Sequence, residues 1–319
     1  MGVNGLWPAL DQASKPVTAE DLRGKVLAVD LSIWLVEACT SKLLKTEHKH
    51  PHLFLTLSRA SFLLRHGALP IVVVEGARHP RKRWKSDRPD PGRAALAAWS
   101  RQAARLLRAL GVPTLVAAGE AEACCARLTA TGVADGVVTE DGDALLYGAT
   151  RVVRGATVDG LQRLTARVYD AAALPWSRRE LVALGLLCGT DLDAGARGVG
   201  PVRAAAFVAA RRGSETDALD ALRRWRDEDG DDSVVDLCDD DDDDADDGEI
   251  AAYCAAHKWP PEDLVATYLA DAPMPRRAFR WRRPSVDALA FANAERCVHG
   301  FHARPSLRYV LARVARLVD

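Results

Sequence analysis

The sequence predicts an α/β fold, a mainly parallel central sheet flanked by helices, with a helical second half. Three observations carry this. Val26–Val29, Pro70–Val74, Pro113–Ala117 and Gly136–Val138 are short apolar runs rich in β-branched residues, as strands buried on both faces are. Helical patterns lie between them, the alternation of a parallel sheet. From Ser177 onward the strand signals stop, and helix caps and Gly/Pro boundaries take over.

The elements follow in order. The strand at Val26–Val29 leads into a helix over Leu31–Leu44, and Pro70–Val74 is the second strand. Ala94–Leu110 is an amphipathic helix with Leu96, Trp99, Ala103, Leu106, Leu107 and Leu110 on one side. Pro113–Ala117 precedes a helix over Glu120–Thr131. Val152–Arg154 and Ala166–Tyr169 follow as two more strands. Ser177-Arg-Arg-Glu180 forms a capping box that opens a helix through Cys188. A turn with Gly195, Gly198 and Gly200 precedes a helix over Pro201–Arg212, with Pro at its first position. Asp227–Glu249 includes six consecutive Asp residues and is expected to be disordered. Residues 250–319 are expected to be helical, and Trp7 and Trp34 to lie in the core.

Composition narrows the function. No run of 18 apolar residues exists, so no membrane-spanning helix is expected. MGVNGLWPAL lacks the basic start and long apolar run of a signal peptide. The seven cysteines form no C-x-x-C pair, which fits buried thiols in a reducing compartment better than zinc or disulfides. The net charge of −1 hides an asymmetry. Arg226–Glu249 holds 15 acidic residues and one basic residue, and without it 42 basic face 29 acidic residues. A basic body with a surplus of 13 charges suits a polyanion such as nucleic acid.

Acidic residues follow every buried strand. Asp30 ends the first, Glu75 the second, Glu120 and Glu122 come after the third, and Asp141 and Asp143 after the fourth. Parallel strands end at one edge of their sheet, where open α/β folds bind ligands. Asp191 in the later turn is a seventh candidate. Singly, Asp30 also fits a helix N-cap, Glu120 and Glu122 a helix start, and Asp141-Gly-Asp143 a turn. Their joint occurrence points to metal. Clustered carboxylates disfavour one another's ionisation, and divalent cations relieve this. Oxygen ligands without His or Cys favour Mg²⁺, with Mn²⁺ able to substitute. Seven exceed the needs of one ion. Two ions about 4 Å apart, the arrangement used for phosphodiester hydrolysis, are expected.

The motifs MGVNGLW, VDLSIWL, VVVEG, AAGEAEACCA, TEDGDALLYG and LCGTDLDAGARGVGP occur in an order and spacing that resemble the flap endonuclease/XPG (Rad2) nuclease family. The resemblance covers most of residues 1–212, and FRWRRPSVDAL resembles a segment that follows the nuclease core. Glu75, the start GLW and DGDALLYG look most like GEN-type Holliday-junction resolvases and their plant SEND-like relatives. The resemblance implies a PIN-like nuclease core with an N-terminal region (1–98), an internal region (99–176) and a helix–two-turn–helix DNA-binding region (177–225). The acidic insert (226–249) and the helical C-terminal segment (250–319) complete the division. It implies metal-ligand roles for the same seven carboxylates. Their family positions are all acidic in this chain.

Arg78–Arg93 (RHPRKRWKSDRPDPGR) follows Glu75 and reads as a basic gateway that binds phosphates beside the metals. A solvated loop is the plainer alternative. The resemblance places Lys82 at the family's catalytic lysine position. Pro89 stands where a second basic residue is expected, with Arg88 or Arg93 as its replacement. The stretch from Glu75 to Glu120 is short for the family, so a full threading arch is not expected. Gly198-Val-Gly-Pro201 opens a helix whose N–H groups can face a phosphate. The family element that it resembles grips duplex DNA with a bound K⁺. Gly2, Arg81, Arg83, Arg197, Gly198, Gly200 and Arg203 are the candidate DNA contacts.

The expectation is a Mg²⁺-dependent, structure-specific endonuclease of DNA repair and recombination, acting on four-way junctions and 5′ flaps. A 5′-flap or XPG-like excision-repair nuclease is the alternative within the class, and an inactive junction-binding protein the alternative outside it. Nuclear location follows from the resemblance. Symmetric cutting of a four-way junction requires two active sites, and so a dimer. No Q-x-x-[LI]-x-x-FF clamp-binding motif is present.

Overall fold

In a computed structural model of the chain, residues 3, 5–82, 91–158, 164–228, 247–274 and 278–282 are described. The first half is built on a seven-stranded sheet: β1 (Lys15–Val17), β2 (Val26–Asp30), β3 (Leu69–Val74), β4 (Thr114–Val116), β5 (Gly136–Val138), β6 (Arg151–Val158) and β7 (Leu164–Asp170). Its order is β1-β7-β6-β5-β2-β3-β4. The five strands from β6 to β4 run parallel, while β7 and β1 add on antiparallel.

The helices of this half are α1 (Leu6–Leu10), α2 (Leu31–Thr40), α3 (Lys42–Glu47), α4 (Pro51–Arg65), α5 (Pro91–Ala109), α6 (Ala121–Ala130) and the single turn α7 (Asp143–Leu146). The single helix predicted over Leu31–Leu44 is in fact two. Ser41 turns extended and caps α3 by accepting the Leu44 N–H at 3.3 Å. Helix α4 is not among the predicted elements. Eleven of its fifteen residues are buried, so it shows little amphipathic alternation. Two cores sandwich the sheet. One, with Trp34, lies among α2, α4 and α5; the other, with Trp7, extends from α6 and α7 into the helical half. Both tryptophans are core residues, as expected.

The helical half comprises α8 (Arg178–Cys188), α9 (Pro201–Ala210), α10 (Ala218–Asp227), α11 (Asp247–His257) and α12 (Glu262–Leu269). The capping box at Ser177 and Glu180 forms as the sequence predicts. Most of the acidic run lies outside the described residues, but its two ends are helical. Asp227 closes α10, while Asp247 and Glu249 occupy the first turn of α11, where carboxylates suit the helix dipole. Beyond α12 the chain returns to the far side of the sheet. Trp281 donates its indole N–H to the Pro70 carbonyl at 2.9 Å, and the Arg282 N–H reaches the Gly111 carbonyl at 2.9 Å. Residues 278–282, expected to be helical, therefore form an irregular strap near the strand starts. Residues 283–319, with Arg283, lie outside the described residues.

Candidate active site

Four adjacent parallel strands deliver six carboxylates to one edge. Asp30 ends β2, the middle strand of the parallel group. It doubles as the N-cap of α2, with Oδ1 accepting the Ser32 N–H and Oδ2 the Ser32 hydroxyl, both at 2.8 Å. Glu75 leaves β3 and accepts the Ala121 N–H at 2.9 Å. Gly76 makes this approach possible. Its N–H donates to the Gly119 carbonyl at 3.0 Å, and a Cβ there would sit 1.9 Å from the Ala117 oxygen. Glu120 is the N-cap of α6, and Glu122 lies in its first turn. Asp141 accepts the Asp143 N–H at 3.0 Å within the short loop from β5 to α7.

These groups share one electrostatic environment. An oxygen from each of Glu75, Glu120 and Glu122 falls within 4.8 Å of the others. Asp30 is fully buried, and Glu120, Glu122, Asp141 and Asp143 are all under a tenth exposed. Burial, then Glu120 nearby, raises the Glu75 carboxyl to about 7. Burial, opposed by the Asp143 N–H and reinforced by Asp191, raises Asp141 to about 6. Burial and then Asp30 push Glu122 well above the usual carboxylate range. Burial and then Asp141 and Asp191 do the same to Asp143. Asp191, half-buried in the turn between α8 and α9, thus joins the cluster from the helical half.

Two buried carboxylate oxygens, Glu122 Oε2 and Asp143 Oδ1, have no hydrogen-bond partner. A buried anionic oxygen without a donor is costly, and a cation is the partner that suits an all-oxygen set. The donor set therefore fits hard divalent ions.

Among the described residues, Lys82 is the one lysine directed into this group. Its Nζ bonds Glu120 and lies 3.5 Å from Glu75. Burial favours its neutral form, but the Glu120 hydrogen bond and the charges of Glu122 and Glu75 hold it protonated, above the usual lysine range. His79 shapes the loop that brings it there. The His79 N–H donates to Glu120 at 3.3 Å, and its ring accepts the Arg81 N–H at 3.2 Å.

Other candidates have different surroundings. Arg81 forms a two-pronged pair with Asp263 of α12, at 2.6 and 2.7 Å. Arg203 is 11% exposed and braces the turn, donating to the Gly198 carbonyl at 2.9 Å and pairing with Glu249 at 2.8 Å. Arg197 and Gly200 are exposed on the turn. The turn closes on itself where Gly189 and Gly195 meet, and a Cβ on Gly195 would lie 2.5 Å from the Gly189 nitrogen. Gly2, Arg83 and Arg88 lie outside the described residues, as does Pro89.

Sequence reasoning missed the groups that hold the clustered carboxylates in place. Ser32, Thr139, His79 and Tyr268 all hydrogen-bond within or around the cluster. Ser32 and Thr139 sit two residues from Asp30 and Asp141 and were legible as local caps. Nothing local marks Tyr268.

The XPG N-terminal domain matches residues 1–90, and the XPG I-region matches residues 111–191. The flap endonuclease GEN homolog 1 of Mus musculus is 35% identical over 244 residues, covering 70% of this chain and 26% of the relative. The Homo sapiens flap endonuclease GEN homolog 1 is 34% identical over 246 residues, 71% of this chain and 27% of the relative. The chain thus spans about a quarter of the length of these curated relatives. Human GEN1 in complex with Holliday junction DNA superposes with a TM-score of 0.74 at 27% identity, over 99% of this chain and 77% of that one. The catalytic core of Rad2 with a DNA substrate shares the fold, with a TM-score of 0.68 at 23% identity over the whole of both chains.

Proposed function

Because the chain belongs to the XPG nuclease family, we propose that it is a divalent-metal-dependent, structure-specific endonuclease that cuts branched DNA at junctions and flaps. One observation carries the reading: carboxylates from four strand ends and one distant turn converge with two unpartnered buried oxygens among them. Such a set has no evident structural purpose, since mutual repulsion and burial both work against it.

Asp30, Glu75, Glu120, Glu122, Asp141, Asp143 and Asp191 would hold two Mg²⁺ ions, directly or through water, with Mn²⁺ able to replace them. When bound, the ions supply a low-pKa water as nucleophile and neutralise charge on the scissile phosphate. The chain's residues do the rest. Lys82 sits at the mouth of the cluster and presents a fixed positive charge where phosphate charge builds up. The gateway from Arg78, including Arg83 and Arg88, would track the phosphate backbone. The exposed turn of Arg197, Gly198 and Gly200 would hold the duplex arm, with K⁺ at its carbonyls. Its phosphate contacts position the DNA without reading its sequence. Arg203 would act by bracing that turn.

The nearest alternative is a 5′-flap or XPG-like nuclease, since both the junction-bound and the Rad2 structures share the fold. The regions 1–98, 99–176 and 177–225 would serve as two nuclease halves and a DNA grip, acting in the nucleus. Labelled 5′-flap, splayed-arm and four-way-junction DNA, each with Mg²⁺ or with EDTA, separate these readings. Paired symmetric cuts in the four-way junction favour a resolvase, and cuts confined to the flap favour the alternative. An absence of Mg²⁺-dependent cutting overturns the enzyme reading. Asp141→Ala combined with Asp143→Ala is expected to abolish cleavage while the chain still binds the DNA. Surviving cleavage would rule out the proposed metal site.

A further inference from the structure

Helix α12 reaches back 125 residues to touch the candidate metal cluster. Its Tyr268 is fully buried. The Tyr268 hydroxyl donates to Asp143 Oδ2 at 3.2 Å. The other oxygen of the same carboxylate, Oδ1, is buried without a partner. The phenol thus occupies one oxygen of Asp143 and leaves the second for a cation.

The tyrosine is held at both ends. Arg178 of α8 donates to the Tyr268 carbonyl at 2.6 Å and to the Leu146 carbonyl, at the end of α7, at 3.1 Å. Asp143 begins that same turn. The Tyr268 ring also packs on Tyr147 with centroids 5.0 Å apart. Ring and backbone are therefore fixed relative to the turn that carries Asp143.

Thr190, the neighbour of Asp191, lies near the same hydroxyl. Its oxygen accepts the Leu192 N–H at 3.2 Å. The phenol thus bonds a carboxylate that follows β5 and stands beside the turn that carries Asp191.

We infer that Tyr268 is a positioning residue for the metal site, orienting Asp143 so that its free oxygen faces the cation. The inference rests on the metal-dependent reading of the cluster. Hydrogen-bond partners behind ligating groups set ligand geometry, and their loss costs about 10–100-fold in metal affinity or activity.

The test is Mn²⁺ binding to the whole chain without DNA, by calorimetry, for the parent and for Tyr268→Phe. This change keeps the ring against Tyr147 and removes only the hydroxyl. The expected result is about a tenfold weaker Mn²⁺ dissociation constant, with Tm in EDTA close to the parent's. Cleavage should need correspondingly more Mg²⁺ to reach half its maximum, while KM for DNA at saturating metal stays unchanged. Affinity within twofold of the parent's overturns the inference and leaves the nuclease reading intact. A parent that binds no Mn²⁺ overturns both. Should Tyr268→Phe melt early, the titration is repeated at a temperature well below its Tm in EDTA. There the folded variant should still bind Mn²⁺ about tenfold more weakly than the parent, and unchanged binding overturns the inference.

Discussion

Lys82 is where the cluster's charge is partly balanced without metal. It bonds Glu120 and faces Glu75, and nothing around it favours deprotonation beyond burial. A cation fixed beside developing phosphate charge acts in the transition state more than in binding. Lys82→Ala is therefore expected to lower kcat by about 10²-fold with little change in KM for DNA, since one such donor is typically worth that much. Steady-state kinetics on the preferred substrate measures this, and a loss confined to KM would make Lys82 a DNA contact only. Arg81 stands one residue away with a different task. Its pair with Asp263 ties the gateway loop to α12.

At the scale of elements, the turn between α8 and α9 would, on the proposed function, join the DNA grip to the metal cluster. It carries Asp191 on its inner side and Arg197 and Gly200 on its outer side. Its shape depends on two backbones touching. Gly195 has φ of +82°, and a Cβ there would meet the Gly189 nitrogen at 2.5 Å and the Leu187 oxygen at 2.6 Å. Gly195→Ala is expected to destabilise the fold by about 1–3 kcal/mol, since it adds strain to a left-handed backbone and a clash. Thermal unfolding in EDTA reads this, and a Tm equal to the parent's would show that the turn relaxes freely. The turn's hydrogen bonds from Asp193 reach in two directions, to the Gly195 N–H at 3.0 Å and to the Trp259 indole at 3.0 Å. The helical half is thereby pinned to the same loop that carries Asp191.

For the whole molecule, the cluster is a standing source of instability that metal should relieve. Asp141 at about 6 and Glu75 at about 7 hold protons that the unfolded chain, with ordinary carboxyls, releases near 4. Because the folded pKa values are raised, the folded state binds more protons between about pH 4 and 7, and stability falls as pH rises through that window. In EDTA the Tm at pH 8 is expected to lie below that at pH 5.5. Mg²⁺ should raise the Tm more at pH 8, since ligands must be ionised to bind. A Mg²⁺ effect that is larger at pH 5.5 would contradict this.

Much of this was legible from residues alone. Runs such as VLAV and PIVVV bury both faces, so they had to be interior strands, and parallel strands end together. That rule alone collects Asp30, Glu75, Glu120, Glu122, Asp141 and Asp143 at one edge. Helix α4 escaped because a helix buried nearly all round loses its amphipathic period. The acidic run seemed wholly irregular, although α10 and α11 take in its ends, where Asp and Glu suit helix starts and Arg226 pairs with Asp227.

From the sequence alone came the parallel strands, the six carboxylates at their ends and the chemistry that such an oxygen-rich set would support, because strand burial and residue type are local properties; the edge strand β1 was not among them. Only the tertiary structure decided that Lys82 lies against Glu75 and Glu120, that Arg81 and Arg203 are engaged by Asp263 and Glu249, and that Tyr268 stands behind Asp143. Apart from Lys82 and Glu75, which are 7 positions apart, these contacts join residues 38 to 182 positions apart. Their existence depends on how the helices pack on the sheet, which no local pattern encodes.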